Sequence, residues 1–130
     1  MTTLVTGITG FIGSEYFKII AEDTSEIYYL LLRHQHENSW MKKVENYSHI
    51  KILIGDILAP DIFKNAKIDY DIEYPITRII HLAALYDLSA GFEELYKANV
   101  IGTQNLLFFA KNSESVKEFF YASTIAVAGN

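Results

Sequence analysis

The sequence predicts an α/β protein built on a doubly wound parallel sheet, with strand order 3-2-1-4-5. Three observations predict it. Apolar segments of strand length alternate with segments of helical periodicity along the chain. One of the apolar segments, Glu26–Arg33 (EIYYLLLR), is a continuous run, as in strands covered on both faces. The first strand candidate, residues 2–6 (TTLVT), runs into a glycine-spaced turn from Gly7 to Gly13 that opens a helical pattern. Alternating strands and helices imply a parallel sheet with helices on both faces, and right-handed crossovers leave few strand orders.

Each element follows from local pattern. Residues 11–22 carry Ile12, Tyr16, Ile19 and Ile20 at helical spacing, which predicts a helix with that face inward. Residues 26–33 form the second strand. Residues 38–47 are polar and are expected to hold a short helix or a loop. Ile50–Ile54 (IKILI) is the third strand, stopped by Gly55-Asp56. Residues 57–77 read as irregular, with Pro60 and Pro75 as breakers. Thr77–Ala84 (TRIIHLAA) is the fourth strand. Residues 92–111 give the longest helical pattern, with Phe92, Leu95, Tyr96, Val100, Leu106, Leu107 and Ala110 expected on one side. Lys117–Ser123 (KEFFYAS) is the fifth strand. No internal repeat, linker or low-complexity tract interrupts the series.

Composition narrows the function classes. A chain of 130 residues, half of them apolar, fits one domain with a buried core. Its net charge of −5 argues against a surface that neutralises nucleic-acid phosphates. No cysteine is present, so disulfides and thiolate chemistry are excluded. The first strand begins almost at Met1 and no apolar stretch approaches the length of a membrane span, so neither a signal peptide nor a membrane anchor is expected and the cytoplasm is the expected location. His34 and His36 sit two apart at a strand end without a third ligand; solvated loop histidines fit them better than a metal site.

The glycine turn carries the chemistry. A helix start following a parallel strand offers unpaired N–H groups and the positive end of a helix dipole, which suits a nucleotide pyrophosphate. In a Rossmann-type site Gly7 would allow the tight turn, Gly10 the approach of phosphates, and Gly13 the close packing of helix on strand, with the backbone N–H groups of Phe11 and Ile12 facing the pyrophosphate. The same pattern fits a plain strand–turn–helix without a ligand. A P-loop is excluded, because no Gly-Lys-Ser/Thr closes the turn. The second strand ends Leu32-Arg33-His34-Gln35, with no acid before Glu37. An acid there would hold the ribose 2′-OH of NAD, whereas an arginine accommodates the 2′-phosphate of NADP. Arg33 therefore favours NADP, with NAD still possible.

Five motifs in order resemble the extended short-chain dehydrogenases/reductases, a family that includes NAD-dependent epimerases and dehydratases. They are Thr6-Gly7-Ile8-Thr9-Gly10-Phe11-Ile12-Gly13, Gly55-Asp56-Ile57, His81-Leu82-Ala83-Ala84, Asn99-Val100-Ile101-Gly102-Thr103, and Ser123-Thr124-Ile125-Ala126-Val127-Ala128-Gly129. The wording of His81–Leu88 (HLAALYDL) is similar to the branch of thioester and fatty-acyl reductases and 3β-hydroxysteroid-dehydrogenase-like enzymes. The resemblance implies hydride transfer between NADP(H) and a carbonyl or alcohol carbon. It implies that Asp56, beside Ile57, accepts from the adenine amino group and that Ala83 and Ala84 lie by the ribose and nicotinamide. It implies a scaffold role for Asn99 and a hydrogen bond from Thr124 to the substrate carbonyl.

The chain departs from the family's pattern after Thr124. A Tyr-x-x-x-Lys pair belongs on the helix after the fifth strand, but only six residues follow Thr124. Tyr47–Lys51 (YSHIK) fits the string but precedes the third strand. The expectation is an N-terminal, dinucleotide-binding portion whose fold stops after strand five, without the substrate-binding part and without turnover of its own. A non-catalytic binding module and a remnant of a truncated gene remain open alternatives. An uncovered fifth strand would invite self-association.

Overall fold

The computed structural model describes residues 1–63, 73–83, 89 and 91–122. Its five strands are β1 (Thr2–Thr6), β2 (Ile27–Leu32), β3 (Ile50–Ile54), β4 (Arg78–His81) and β5 (Glu118–Tyr121). They form one sheet in the order β3-β2-β1-β4-β5, and all four pairings are parallel. The sheet is the one predicted, each strand lying within its predicted span. β1 is central and every residue of it is buried.

Side-chain alternation across this sheet builds two cores. Val5, Tyr28, Leu30 and Leu32 point to one face, where Phe17 and Ile20 of α1 (Phe11–Glu22) and Trp40 and Val44 of α2 (Glu37–Val44) cover them. Leu4, Tyr29, Leu31, Leu53 and Ile79 point to the other, against Ile62, Phe63, Ile76 and Leu106. A continuous apolar β2 is what two-sided burial requires. The polar stretch before β3 resolves into α2, held by just two buried side chains, Trp40 and Val44.

Two helical faces differ from expectation. In α1 the buried residues are Gly13, Phe17 and Ile20, while Ile12 and Ile19 are exposed. The inward stripe runs through the glycine that touches the sheet, the large Phe17 and Ile20, leaving Ile12 and Ile19 outside it. The helical stretch after β4 consists of α3 (Phe92–Tyr96), a π-helical turn (Lys97–Ile101) and α4 (Gly102–Lys111). Its expected single apolar side is split: Leu106 is buried, whereas Phe92, Tyr96, Val100 and Leu107 are exposed. A π turn takes one extra residue to close each hydrogen bond, so it rotates α4 about the helix axis relative to α3. Gly102 packs against Ile57 at the start of α4; a Cβ there would lie 2.8 Å from Ile57 Cδ1. No helix among the described residues is long and apolar enough to cross a membrane.

Candidate functional site

The turn from β1 into α1 has the geometry that its glycines predicted. Gly7 has φ +80, a conformation that L side chains rarely adopt, and a Cβ there would overlap the backbone of Leu82 and Ala83 at the end of β4. The Gly10 amide donates to the Gly7 carbonyl at 3.1 Å, closing the turn. Gly13 lies on that same carbonyl and on Ile8; no side chain fits between them. Gly10 is different. A Cβ there would meet only Gly7 O, at an ordinary 3.5 Å. Nothing among the described residues requires glycine at this position, and Gly10 lines the cavity that opens over the turn. Gly10 is also the N-cap of α1, with no side chain capping it and no acid in the first turn. The first amides of a helix have no intrahelical acceptor, so the dipole's positive end is left for an anion.

A cavity of about 490 Å³ opens over this turn at the carboxyl ends of the strands. Gly7, Thr9 and Gly10 form one wall. Arg33 and His36 after β2 and Asp56 and Ile57 after β3 form a second, and Leu82 and Ala83 after β4 a third. Open α/β sheets bind ligands at this place, where strand order reverses between β1 and β4. Six of the residues expected to bind cofactor therefore line one cavity: Gly7, Gly10, Arg33, Asp56, Ile57 and Ala83. Gly13 packs behind the turn, and Phe11 and Ile12 are exposed at the start of α1. Ala84 and Thr124, with Ser123 and the rest of 125–130, lie outside the described residues. The cavity also includes residues to which no sequence motif pointed: His36, and Glu94, Lys97 and Ala98 from α3 and the π turn. None of them belongs to a motif, although Lys97 and Ala98 directly precede the one that begins at Asn99, and the fold brings them in.

Residues 5–130 match the NAD-binding family described as male sterility protein. The chain belongs to this family. An uncharacterized protein of Methanocaldococcus jannaschii is 32% identical over 97% of the chain, which spans 40% of that relative. The large subunit of L-2-aminoadipate reductase from Eremothecium gossypii is 25% identical over 95% of the chain, here 10% of the relative's length. Among solved structures, a thiolation-reductase di-domain of an archaeal non-ribosomal peptide synthetase superposes with TM-score 0.80 at 26% identity, covering 99% of the chain and 37% of that structure. The chain thus spans about two fifths or less of these three proteins.

In this male sterility family member the expected residues have the following local settings. Asp56 accepts the Leu58 amide at 2.9 Å through Oδ1, so it shapes its own turn while lining the cavity. Arg33 is exposed at the end of β2, its carbonyl taking the His36 amide at 2.9 Å. Tyr47 is a half-buried ring against Phe17 and His49, and Lys51 lies in β3, so the Tyr-x-x-x-Lys string there is no part of the site. The Asn99 carbonyl accepts the Thr103 hydroxyl at 2.9 Å. Buried among them is His81, fully shielded from solvent, with Nδ1 2.6 Å from Thr6 Oγ1 and Nε2 2.8 Å from Thr103 Oγ1. Burial lowers its pKa to about 4, because the interior penalises the charged ring.

Proposed function

We propose that this chain is the NADP(H)-binding portion of a reductase that moves hydride to or from a carbonyl or alcohol carbon. The observation that carries the reading is Gly10, a glycine with no packing reason, at the uncapped N-terminus of α1 and on the wall of the cavity. Such an arrangement leaves room and partial positive charge for a pyrophosphate. Gly7, Gly10 and the amides of Phe11 and Ile12 would hold it, Arg33 the 2′-phosphate, Asp56 with Ile57 the adenine, and Ala83 with Ala84 the ribose and nicotinamide. When bound, the dinucleotide supplies the hydride; the protein orients and excludes. The aminoadipate reductase and the thiolation-reductase neighbours favour a thioester-derived carbonyl as substrate, and a cytoplasmic location belongs to the same reading. Thr124 is assigned the hydrogen bond to the substrate carbonyl, since a hydroxyl can donate it.

Calorimetric titration with NADP and NAD tests the reading. NADP binds more tightly, and Arg33→Ala reduces NADP affinity by about tenfold or more while leaving NAD nearly unchanged, the size expected for a lost charge-assisted contact. Equal affinities, or an NADP affinity indifferent to Arg33, overturn the preference. No binding of either overturns the site. The 130-residue chain alone oxidises no NADPH with aldehydes, thioesters or ketosteroids, since no Tyr-x-x-x-Lys pair follows Thr124; turnover abolished by Thr124→Val would locate the proton donor elsewhere.

A further inference from the structure

His81 joins three elements around the cavity: the start of the glycine turn, the end of β4 and the π turn. The Thr103 hydroxyl has one hydrogen and gives it to the Asn99 carbonyl at 2.9 Å. It must therefore accept from His81, so Nε2 carries the hydrogen and Nδ1 is bare. Thr6 in turn donates to Nδ1, and its oxygen is left to accept the Ala83 amide at 3.3 Å. The hydrogen bonds run in one direction: Ala83 N–H to Thr6, Thr6 O–H to His81, His81 N–H to Thr103, Thr103 O–H to Asn99. Thr6 precedes the Gly7 turn, Ala83 ends the β4 wall, and Asn99 sits in the π turn that brings Lys97 and Ala98 to the cavity.

We propose that His81 is a positioning residue, whose neutral ring pins the glycine turn, the end of β4 and the π turn in the arrangement that binds the dinucleotide. The proposal rests on the dinucleotide reading for its last clause only. Protonation would put a second hydrogen between Nδ1 and Thr6. The Thr6 hydroxyl would then lose its acceptor, and its oxygen would have to accept from Nδ1–H as well as from the Ala83 amide, loosening the contact beneath Gly7. The other ring nitrogen would keep its bond to Thr103. No other charge competes for control of the ring among the described residues: β5 sets Tyr121 flat against it at 5.3 Å and Phe119 edge-on at 6.2 Å, while β1 and α4 present Thr6 and Thr103. Burial is the cause that holds the ring neutral.

Nitrogen-15 NMR of the ring, followed through an acid titration with and without NADP, tests this. In the free protein Nε2 is the protonated nitrogen, and the amides of Gly7, Ala83 and Ala98 shift with the same midpoint as the ring. With NADP bound the ring titrates at lower pH. A ring protonated on Nδ1, or one that titrates while those three amides stay still, overturns the pin whether or not a dinucleotide binds. Absence of NADP binding with the amide coupling intact overturns only the dinucleotide reading. Two variants give an independent readout by calorimetry, with thermal melts alongside. His81→Asn can place a polar atom near the Nδ1 position and His81→Gln near Nε2. His81→Asn keeps NADP affinity within about threefold, whereas His81→Gln, which abandons Thr6, loses about tenfold at equal melting temperature, the scale of one buried hydrogen bond. Equal affinities in the two variants overturn the assignment of the pin to Thr6.

Discussion

Gly10 and Gly13 stand three residues apart and are glycine for different reasons, which substitution separates. At Gly13 a methyl would be driven into the Gly7 carbonyl and Ile8, both backbone, so neither can yield cheaply. Gly13→Ala is expected to cost about 1–3 kcal/mol of stability or more, the scale of overpacking, as measured by denaturant unfolding. At Gly10 the nearest atom is 3.5 Å away and φ is −80, open to alanine. Gly10→Ala is expected to change stability by less than about 1 kcal/mol, the range of an N-cap change. It should nevertheless lower dinucleotide affinity at least about tenfold. Normal affinity in Gly10→Ala would mean that the phosphates lie elsewhere. These residues were legible from spacing alone, since glycine leaves a mark in sequence wherever backbone must approach backbone. His36 and Lys97 left none, because a polar side chain on a cavity wall looks like any solvated surface residue until the fold places it.

The strands were legible for the same kind of reason and the helix faces were not. A strand buried on both sides favours a continuous apolar run, a strong local signal that β2 carries. A helix face depends on its axial rotation against the sheet, which Gly13 sets for α1 and the π turn sets for α4. Ile12 and Ile19 of α1, and Phe92 and Tyr96, satisfied the spacing and still faced outward. At the sheet's far side, β5 pairs with β4 along one edge, and no strand lies beyond it among the described residues. Phe120 and Tyr121 on it are about half exposed. Open backbone donors and acceptors beside apolar rings invite a second copy. Sedimentation of the 130-residue chain is expected to show concentration-dependent dimers, weakened by Phe120→Lys. A monodisperse monomer across the concentration range would exclude pairing through this edge.

For the molecule as a whole, the buried ring of His81 ties stability to pH. The folded ring titrates at about 4 and the free side chain at 6.5. Between those values the unfolded chain binds a proton that the folded chain refuses, so stability rises with pH. Chemical denaturation at a series of pH values is expected to show stability full above about pH 6.5, falling toward pH 4, with a span of roughly 3 kcal/mol at most from this group. His81→Asn should flatten that part of the profile. An unchanged profile in this variant would mean that other groups cause the acid sensitivity.

The central position of β1 also sets an order of assembly. Its register with β2 joins residues 25 apart, Thr2 with Ile27, whereas its register with β4 joins residues 75 apart, Thr3 with Arg78. Tripling the loop adds only about 1 kcal/mol of closure entropy, yet a chain emerging in order completes β1, β2 and β3 while the partner for the other edge of β1 is still unmade. That edge is the one beneath the glycine turn. Nascent chains arrested near residue 60 should therefore already protect the β1–β2 amides from hydrogen exchange, while the turn, lacking Leu82 and Ala83 beneath it, exchanges freely. The cavity is then a late event in the life of each molecule, begun when β4 docks and closed when residues 94–98 pack over it.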